Sequence, residues 1–172
     1  MINAAGTNFY TSDITDLDMI NRSLKKELER MQKEDQKMRR LGKSYRAIDK
    51  RNVARLKQII KKYGWPSSSL AGTKGEFAAW LIAQHADFDV NFQEKCLNLL
   101  KRLPKTSNRR KIIAYLTDRT LVNRKKKQIY GTQFYHGKPR PIKDINNLNK
   151  RRKQMGLESF ETYRKRMIRY AK

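Results

Sequence analysis

Cysteine and histidine are scarce in this 172-residue sequence, and their scarcity excludes two kinds of stabilising site. The single cysteine, Cys96, cannot form an intrachain disulfide. Together with His85 and His136 it supplies too few soft ligands for a structural zinc site. We therefore expect no bound metal.

Long apolar runs are also lacking. No stretch of 18 apolar residues occurs, and the first residues contain neither the basic nor the apolar region of a secretory signal. The sequence thus predicts no transmembrane segment and a cytoplasmic protein, and it leaves open export by a dedicated secretion system.

Negative charge is scarce relative to positive charge, since 41 Lys and Arg stand against 16 Asp and Glu and give a net charge of +25. Apolar residues still make up 38% of the chain, which is enough for a packed core and excludes a wholly disordered polycation. Residues 63–100 carry 2 basic and 4 acidic side chains, whereas residues 101–172 carry 23 and 4. This distribution predicts a core in the middle segment and a basic surface after it, unless the middle is neutral merely because it is buried.

The spacing of apolar residues predicts a mainly α fold, a compact bundle of about six to seven helices. We expect one short β-hairpin or strand near residues 128–135, where β-branched and aromatic residues surround a glycine. The predicted organisation is a flexible N-terminus at 1–12, a basic amphipathic helix with a hinge at 13–47, and a single helical domain at 48–172. The apolar stripe of the N-terminal helix comprises Leu17, Leu24, Leu28, Met31 and Met38.

Residues typical of helix ends mark several boundaries. Asp49, Asp89 and Ser159 each stand where an N-cap is expected, and Gly64 stands at the end of the helix that follows Asp49. Cys96 falls on the inner face of the helix after Asp89, which favours a core position over a nucleophile.

Several polar motifs follow one another in a characteristic order. They are Gly64-Trp65-Pro66, Gln84-His85-Ala86-Asp87, Tyr115-Leu116-Thr117-Asp118-Arg119, Gln128-Ile129-Tyr130-Gly131-Thr132-Gln133, Pro141 with Asp144, and Arg151-Arg152 before Gly156-Leu157. From Asp49 to about Tyr163 the chain resembles a bacterial domain family of unknown function. The resemblance implies a compact domain and supplies no assigned reaction, cofactor or catalytic residue.

His85 and Asp87 form a candidate catalytic pair at the end of an apolar helix. A histidine oriented by a carboxylate acts as a general acid or base near neutral pH. The structural alternative is that His85 hydrogen-bonds the last carbonyls of its helix while Asp87 helps to cap the next one.

Arg119 is a second candidate, because an arginine in an apolar helix needs Asp118, Asp87 or a bound anion as its partner. Tyr130 and Gln133 join it only if Gly131 interrupts the strand, since strict alternation would turn them to opposite faces. These residues define the hypothesis of a small, toxin- or effector-like enzyme for a nucleotide or another phosphate-bearing substrate. The structural alternative for Arg119 is a buried ion pair.

No phosphate-loop, dinucleotide-binding or zinc-protease motif occurs, and we expect no cofactor.

Basic clusters carry the principal functional hypothesis, which is binding of a phosphate-rich partner, above all nucleic acid, and possible action on it. The candidate contacts are Arg109, Arg110, Lys111, Arg124, Lys125, Lys126, Lys127, Arg151, Arg152 and Lys153. Tyr45, Tyr135 and Tyr170 lie near basic residues and are candidates for stacking on unpaired bases. An acidic protein partner and an anionic membrane surface are the alternatives.

Overall fold

The computed structural model describes residues 9–42 and 45–170, and it confirms the predicted mainly α fold. Within these ranges there are seven α-helices and one antiparallel pair of two-residue strands, which follow one another as α1 (Phe9–Arg40), α2 (Arg46–Tyr63), α3 (Ser68–Gln84), α4 (Val90–Arg102), α5 (Ser107–Asn123), β1 (Phe134–Tyr135), β2 (Lys138–Pro139), a 3₁₀ turn (Ile145–Asn147), α6 (Leu148–Gln154) and α7 (Phe160–Tyr170). No helix in the described part of the chain is both long and apolar enough to cross a membrane.

The chain divides into two compact units inside α3, the first ending at Leu81 and the second beginning at Ile82. The predicted division at residues 12 and 47 stays a prediction. Residues 1–8 of the expected flexible start, and residues 43 and 44 of the expected hinge, lie outside the described residues.

In the first unit, α1 packs on α2 through the predicted apolar stripe. Leu24, Leu28 and Met31 are buried in α1, and Leu56 and Ile59 are among the buried residues of α2. Ion pairs between Glu27 and Arg55 and between Glu34 and Arg51 flank this apolar contact. The long basic N-terminal helix is confirmed, and Leu24, Leu28 and Met31 of its stripe pack within the chain, whereas the side chain of Leu17 lies outside the described part of the structure.

The predicted N-cap at Asp49 is wrong, because α2 begins three residues earlier at Arg46. Asp49 lies in the first turn, where its carboxylate accepts a hydrogen bond from Arg39 at 2.7 Å. A carboxylate in the first turn also stabilises the helix dipole, so the residue favours the helix start without capping it. The predicted end at Gly64 is confirmed, with φ at +75°.

A sharp break interrupts α3 close to its start. Helical turns begin at Ser68, and Gly72, with φ at +67° and ψ at 167°, breaks the helix before it resumes. The carboxylate of Glu76 accepts a hydrogen bond from the Ser68 backbone N–H at 3.1 Å across this break.

In the second unit, α4 and α5 pack against each other and Cys96 is buried in α4, as predicted. The caps at Asp89 and Ser159 are confirmed by hydrogen bonds to the N–H groups three residues later, at 3.0 and 3.2 Å. The β element lies slightly later than predicted, because residues 128–133 form an irregular loop and Phe134 and Tyr135 pair with Pro139 and Lys138.

Candidate functional site

The loop at residues 128–133 is folded around the carboxylate of Asp118, which projects from α5. The backbone N–H groups of Ile129 and Tyr130 donate to Oδ1 at 2.7 and 3.0 Å. The backbone N–H and the hydroxyl of Thr132 both donate to Oδ2 at 2.9 Å. Asp118 is fully buried, so these donors supply the polar partners that its carboxylate needs in the interior.

The carbonyl groups of the same loop are held by side chains from α6 and α7. Arg151 donates to the Ile129 carbonyl at 3.0 Å, and Arg152 donates to the Tyr130 carbonyl at 2.6 Å. The Tyr163 hydroxyl donates to the Thr132 carbonyl at 3.0 Å. Because an irregular loop lacks a backbone ladder, these side chains satisfy the groups that a strand partner would otherwise satisfy.

Gly131 makes this loop conformation possible. Its φ is +68°, and a Cβ atom at this position would lie 2.9 Å from Cε2 of Phe160. Only glycine fits such a left-handed position with an aromatic ring so close. The Gln128-to-Gln133 motif is therefore explained by the packing of a loop, in which Gln128 also bonds the backbone N–H and C=O of Gln133 at 2.8 and 3.0 Å.

Burial sets the protonation behaviour of this cluster. It raises the pKa of the Asp118 carboxyl above its usual value, against the lowering effect of the hydrogen bonds from Tyr130, Thr132 and Ile129. Burial, with the nearby Asp118 charge, also raises the pKa of the Tyr130 phenol. Tyr130 thus remains a neutral phenol at physiological pH, and any role for its hydroxyl is that of a hydrogen-bonding group.

Arg119 has Asp87 as its partner, one of the three partners expected from the sequence. Its Nε donates to Oδ1 of Asp87 at 2.7 Å, its Nη2 forms a second bond to the same carboxylate, and its Nη1 donates to Oε1 of Gln133 at 3.0 Å. Asn123 and Gln93 donate to the same Asp87 oxygen at 2.8 and 3.3 Å. Three of the five N–H donors of the guanidinium thus have protein acceptors, and the Asp87 carboxylate offsets the charge that would attract an anionic substrate.

Asp87 is ionised over a wider pH range than an ordinary aspartate. Partial desolvation of the carboxyl raises the pKa, but the hydrogen bond and charge of Arg119, with the hydrogen bonds of Asn123 and Gln93, outweigh it and hold the pKa below its usual value. The amides of Gln93 and Asn123 are members of this cluster that the sequence analysis missed. The available signal was the spacing of Asn123, one helical turn after Arg119, which places both on the same face of α5.

The predicted catalytic residues are only partly brought together. Asp87, Arg119 and Gln133 form one hydrogen-bonded cluster, whereas the backbone of Tyr130 belongs to the Asp118 cluster beside it. His85 is half-buried just past the end of α3, two residues before Asp87. Its catalytic role, with Asp87 as the orienting carboxylate, stays a prediction.

The candidate nucleic-acid contacts divide by side-chain type, because most of the arginines are engaged within the protein. Arg109 is buried and donates to the Pro104 carbonyl, and Arg152 is 1% exposed and lies 4.9 Å from the Tyr163 ring centre. Arg124 pairs with Glu94 at 2.8 Å, and Arg151 pairs with Asp144 at 3.1 Å. Burial lowers the pKa of Arg152 from its usual value. The burial of Arg109 and Arg152 removes them from any surface that contacts a partner.

The lysines in the same clusters face solvent. Among the described residues none of them forms an ion pair with a carboxylate, and all are exposed: Lys111, Lys125, Lys126, Lys127 and Lys153. Arg110 is half-buried and donates weakly to the Ser107 hydroxyl at 3.5 Å. The residues left for contact with a partner are therefore mainly lysines.

The comparisons with known proteins agree with the resemblance noted in the sequence. A family model described as a family of unknown function (DUF6624) matches residues 20–171, which is nearly the whole chain. The chain belongs to the DUF6624 family. No curated protein and no solved structure matches it. The DUF6624 match thus establishes kinship and assigns no activity.

Proposed function

We propose that the second unit binds a phosphate-rich polymer, nucleic acid above all, through its exposed lysines. The observation that carries this proposal is that the unit's acidic residues are already engaged. From Ile82 to the C-terminus there are 24 Lys and Arg against 7 Asp and Glu. Asp87, Glu94, Asp144 and Glu158 each pair with an arginine.

The remaining three acids of this unit are engaged as well. Asp118 is enclosed by its loop, Asp89 caps α4, and Glu161 accepts hydrogen bonds from Asn149. With the 7 acids already engaged against 24 cations, the exposed lysines of the unit are left with a net mutual repulsion. Phosphates relieve this repulsion, and each neutralised phosphate releases a condensed counterion, which favours binding further at low salt.

The type of contact follows from the chemistry of these side chains. Lysine is a flexible point charge that binds phosphate without the bidentate geometry used to recognise base edges. Three of the candidate arginines that could supply such geometry, Arg124, Arg151 and Arg152, are engaged with carboxylates or carbonyls. We therefore expect contacts with the phosphate backbone and little sequence preference.

The test is a salt titration of binding to a fluorescently labelled oligonucleotide by anisotropy. Replacing Lys125, Lys126 and Lys127 with Gln is expected to weaken binding and to reduce the slope of log K against log salt by about 2 to 3, as expected for three lost phosphate contacts. The matched control replaces Lys50, Lys61 and Lys62, three exposed lysines of the first unit, and removes the same charge. A slope near zero for the unaltered protein, or equal losses in both variants, would contradict the proposal.

A further inference from the structure

The basic run at Lys125–Lys127 lies beside a second basic segment of the chain. Gln128, which follows the run, forms a parallel bridge with Ile142. The backbone N–H of Gln128 donates to the Pro141 carbonyl at 2.9 Å, and the Gln128 carbonyl accepts a hydrogen bond from the Lys143 N–H at 2.8 Å. Its side chain also donates to the Arg140 carbonyl at 2.8 Å. These three bonds fix the run against the segment that follows the hairpin.

The hairpin formed by β1 and β2 carries an exposed aromatic ring next to these cations. Tyr135 is 61% exposed, whereas tyrosine side chains are usually at least half buried. The His136 ring meets it edge to face at 4.2 Å, and the guanidinium of Arg140 lies 5.1 Å from its centre. The ring is therefore held in place by its neighbours while much of it faces solvent.

Positive charge is concentrated in the hairpin and in the run that residue 128 ties to its C-terminal side. Six exposed cations are contributed by the two segments, and none of them forms an ion pair with a carboxylate of the described residues: Lys125, Lys126, Lys127, Lys138, Arg140 and Lys143. The acid adjacent in sequence, Asp144, is engaged by Arg151 and Asn147. We call the surface made by residues 125–127 and 134–143 the hairpin platform.

We infer that the hairpin platform binds single-stranded nucleic acid, with an unpaired base stacked on Tyr135 and phosphates bound by the exposed lysines of the platform. This inference rests on the proposed function and adds the type of strand. An aromatic side chain gains stacking energy only from a base whose face is free, and in a duplex that face is covered by the neighbouring base pairs. Single-stranded binding surfaces combine these two components, a cationic track and a stacking ring.

A membrane surface fits the same region less well. Insertion into a lipid interface depends on buried apolar area as well as on attraction to anionic headgroups. On the hairpin, Tyr135 is the one large hydrophobic side chain exposed among the described residues, and the guanidinium of Arg140 lies near its ring. We therefore favour nucleic acid and keep anionic vesicles as an arm of the test.

The experiment compares Tyr135→Leu with Tyr135→Phe, which keeps the ring. Anisotropy is measured with a labelled single strand and with a duplex of the same length, and a 2-aminopurine base in the single strand reports stacking. We expect Tyr135→Leu to weaken single-strand binding roughly 5- to 100-fold and to abolish the quenching of 2-aminopurine, with little change for the duplex. Tyr135→Phe is expected to behave as the unaltered protein does. Because the side chain is exposed, both variants are expected to keep the thermal unfolding midpoint, which serves as the control for folding.

Other outcomes separate the two proposals. If the single strand binds with a steep salt dependence but Tyr135→Leu has no effect on affinity or quenching, the stacking role is overturned and the proposed function stands. If neither strand type binds while vesicles containing phosphatidylserine do, both are overturned in favour of a membrane surface. Equal affinity for both strand types, with equal losses in the two Tyr135 variants, also overturns the stacking role.

Discussion

Replacing Asp118 with asparagine tests whether its carboxylate holds the loop at residues 128–133. The substitution preserves shape and removes one acceptor, because the amide nitrogen replaces one carboxylate oxygen. If the retained oxygen stays with the N–H groups of Ile129 and Tyr130, the new NH₂ group faces the N–H of Thr132. Two donors then oppose each other in the interior.

The size of the effect follows from these contacts. A buried N–H without an acceptor costs about 1–3 kcal/mol, and the two retained bonds lose about 1 kcal/mol each when their acceptor becomes neutral. Removing a buried charge offsets part of this loss, in keeping with the raised pKa of Asp118. The net destabilisation expected for Asp118→Asn is therefore about 2–4 kcal/mol.

The assay has to report on the second unit by itself. Both tryptophans, Trp65 and Trp80, lie in the first unit, so intrinsic tryptophan fluorescence does not suit this purpose. Amide hydrogen exchange read from peptides covering 107–133 reports the opening of α5 and the loop directly. The expected loss corresponds to exchange roughly 30- to 700-fold faster in the loop.

The matched control is Glu94→Gln, which removes one exposed partner of the Arg124 ion pair and is expected to cost less than about 1 kcal/mol. Protection of the loop in Asp118→Asn equal to that of the control would refute the reasoning. That result would mean that the loop is held by its carbonyl contacts and its packing.

Two further predictions concern the buried Arg152 and the carboxyl of Asp87. Arg152→Met is expected to destabilise the second unit by about 2–3 kcal/mol, because the carbonyl groups of Tyr130 and Glu158 lose a charged donor. Lys153→Met, at an exposed lysine, is expected to cost less than about 0.5 kcal/mol. Urea unfolding followed by circular dichroism compares the two variants, and equal losses of stability would contradict a buried, hydrogen-bonding role for Arg152. The carboxyl of Asp87 has a lowered pKa in the folded state, so its stabilising contribution is present above the unfolded value of about 4 and is lost as the pH falls through the folded value. Asp87→Asn is therefore expected to be less stable than the unaltered protein at pH 7 and to show a shallower loss between pH 5 and 2, and parallel acid-unfolding curves would exclude this linkage.

The helices were predictable because their signals are local. The stripe of Leu24, Leu28 and Met31 and the cap at Asp89 depend on residues within one or two turns, and such patterns survive in the folded chain. Asp49 misled the prediction because an aspartate favours both the cap and the first turn, and its distant partner Arg39 is not visible in the local pattern.

The candidate site was less predictable, since its contacts join segments far apart in the chain. The pairing of Asp87 with Arg119 spans 32 residues, and sequence spacing offered it only as one of three alternatives. The run from Lys150 to Lys153 consists of four consecutive cations that the sequence alone does not distinguish, yet Arg152 is buried and Lys153 is exposed. Side-chain direction on α6, which depends on where α7 and the loop lie, decides between the two roles.

The way in which the loop at residues 128–133 is held has a consequence for how this sequence tolerates change. Connections between helices ordinarily accept insertions and deletions, because few of their backbone groups have fixed partners. Here the loop N–H groups donate to the Asp118 carboxylate of α5, and the loop carbonyl groups accept hydrogen bonds from side chains of α6 and α7. One added or deleted residue would misplace both sets at once, so length variation in this unit is expected instead in turns such as the hairpin end at Gly137, which joins two strands of two residues each.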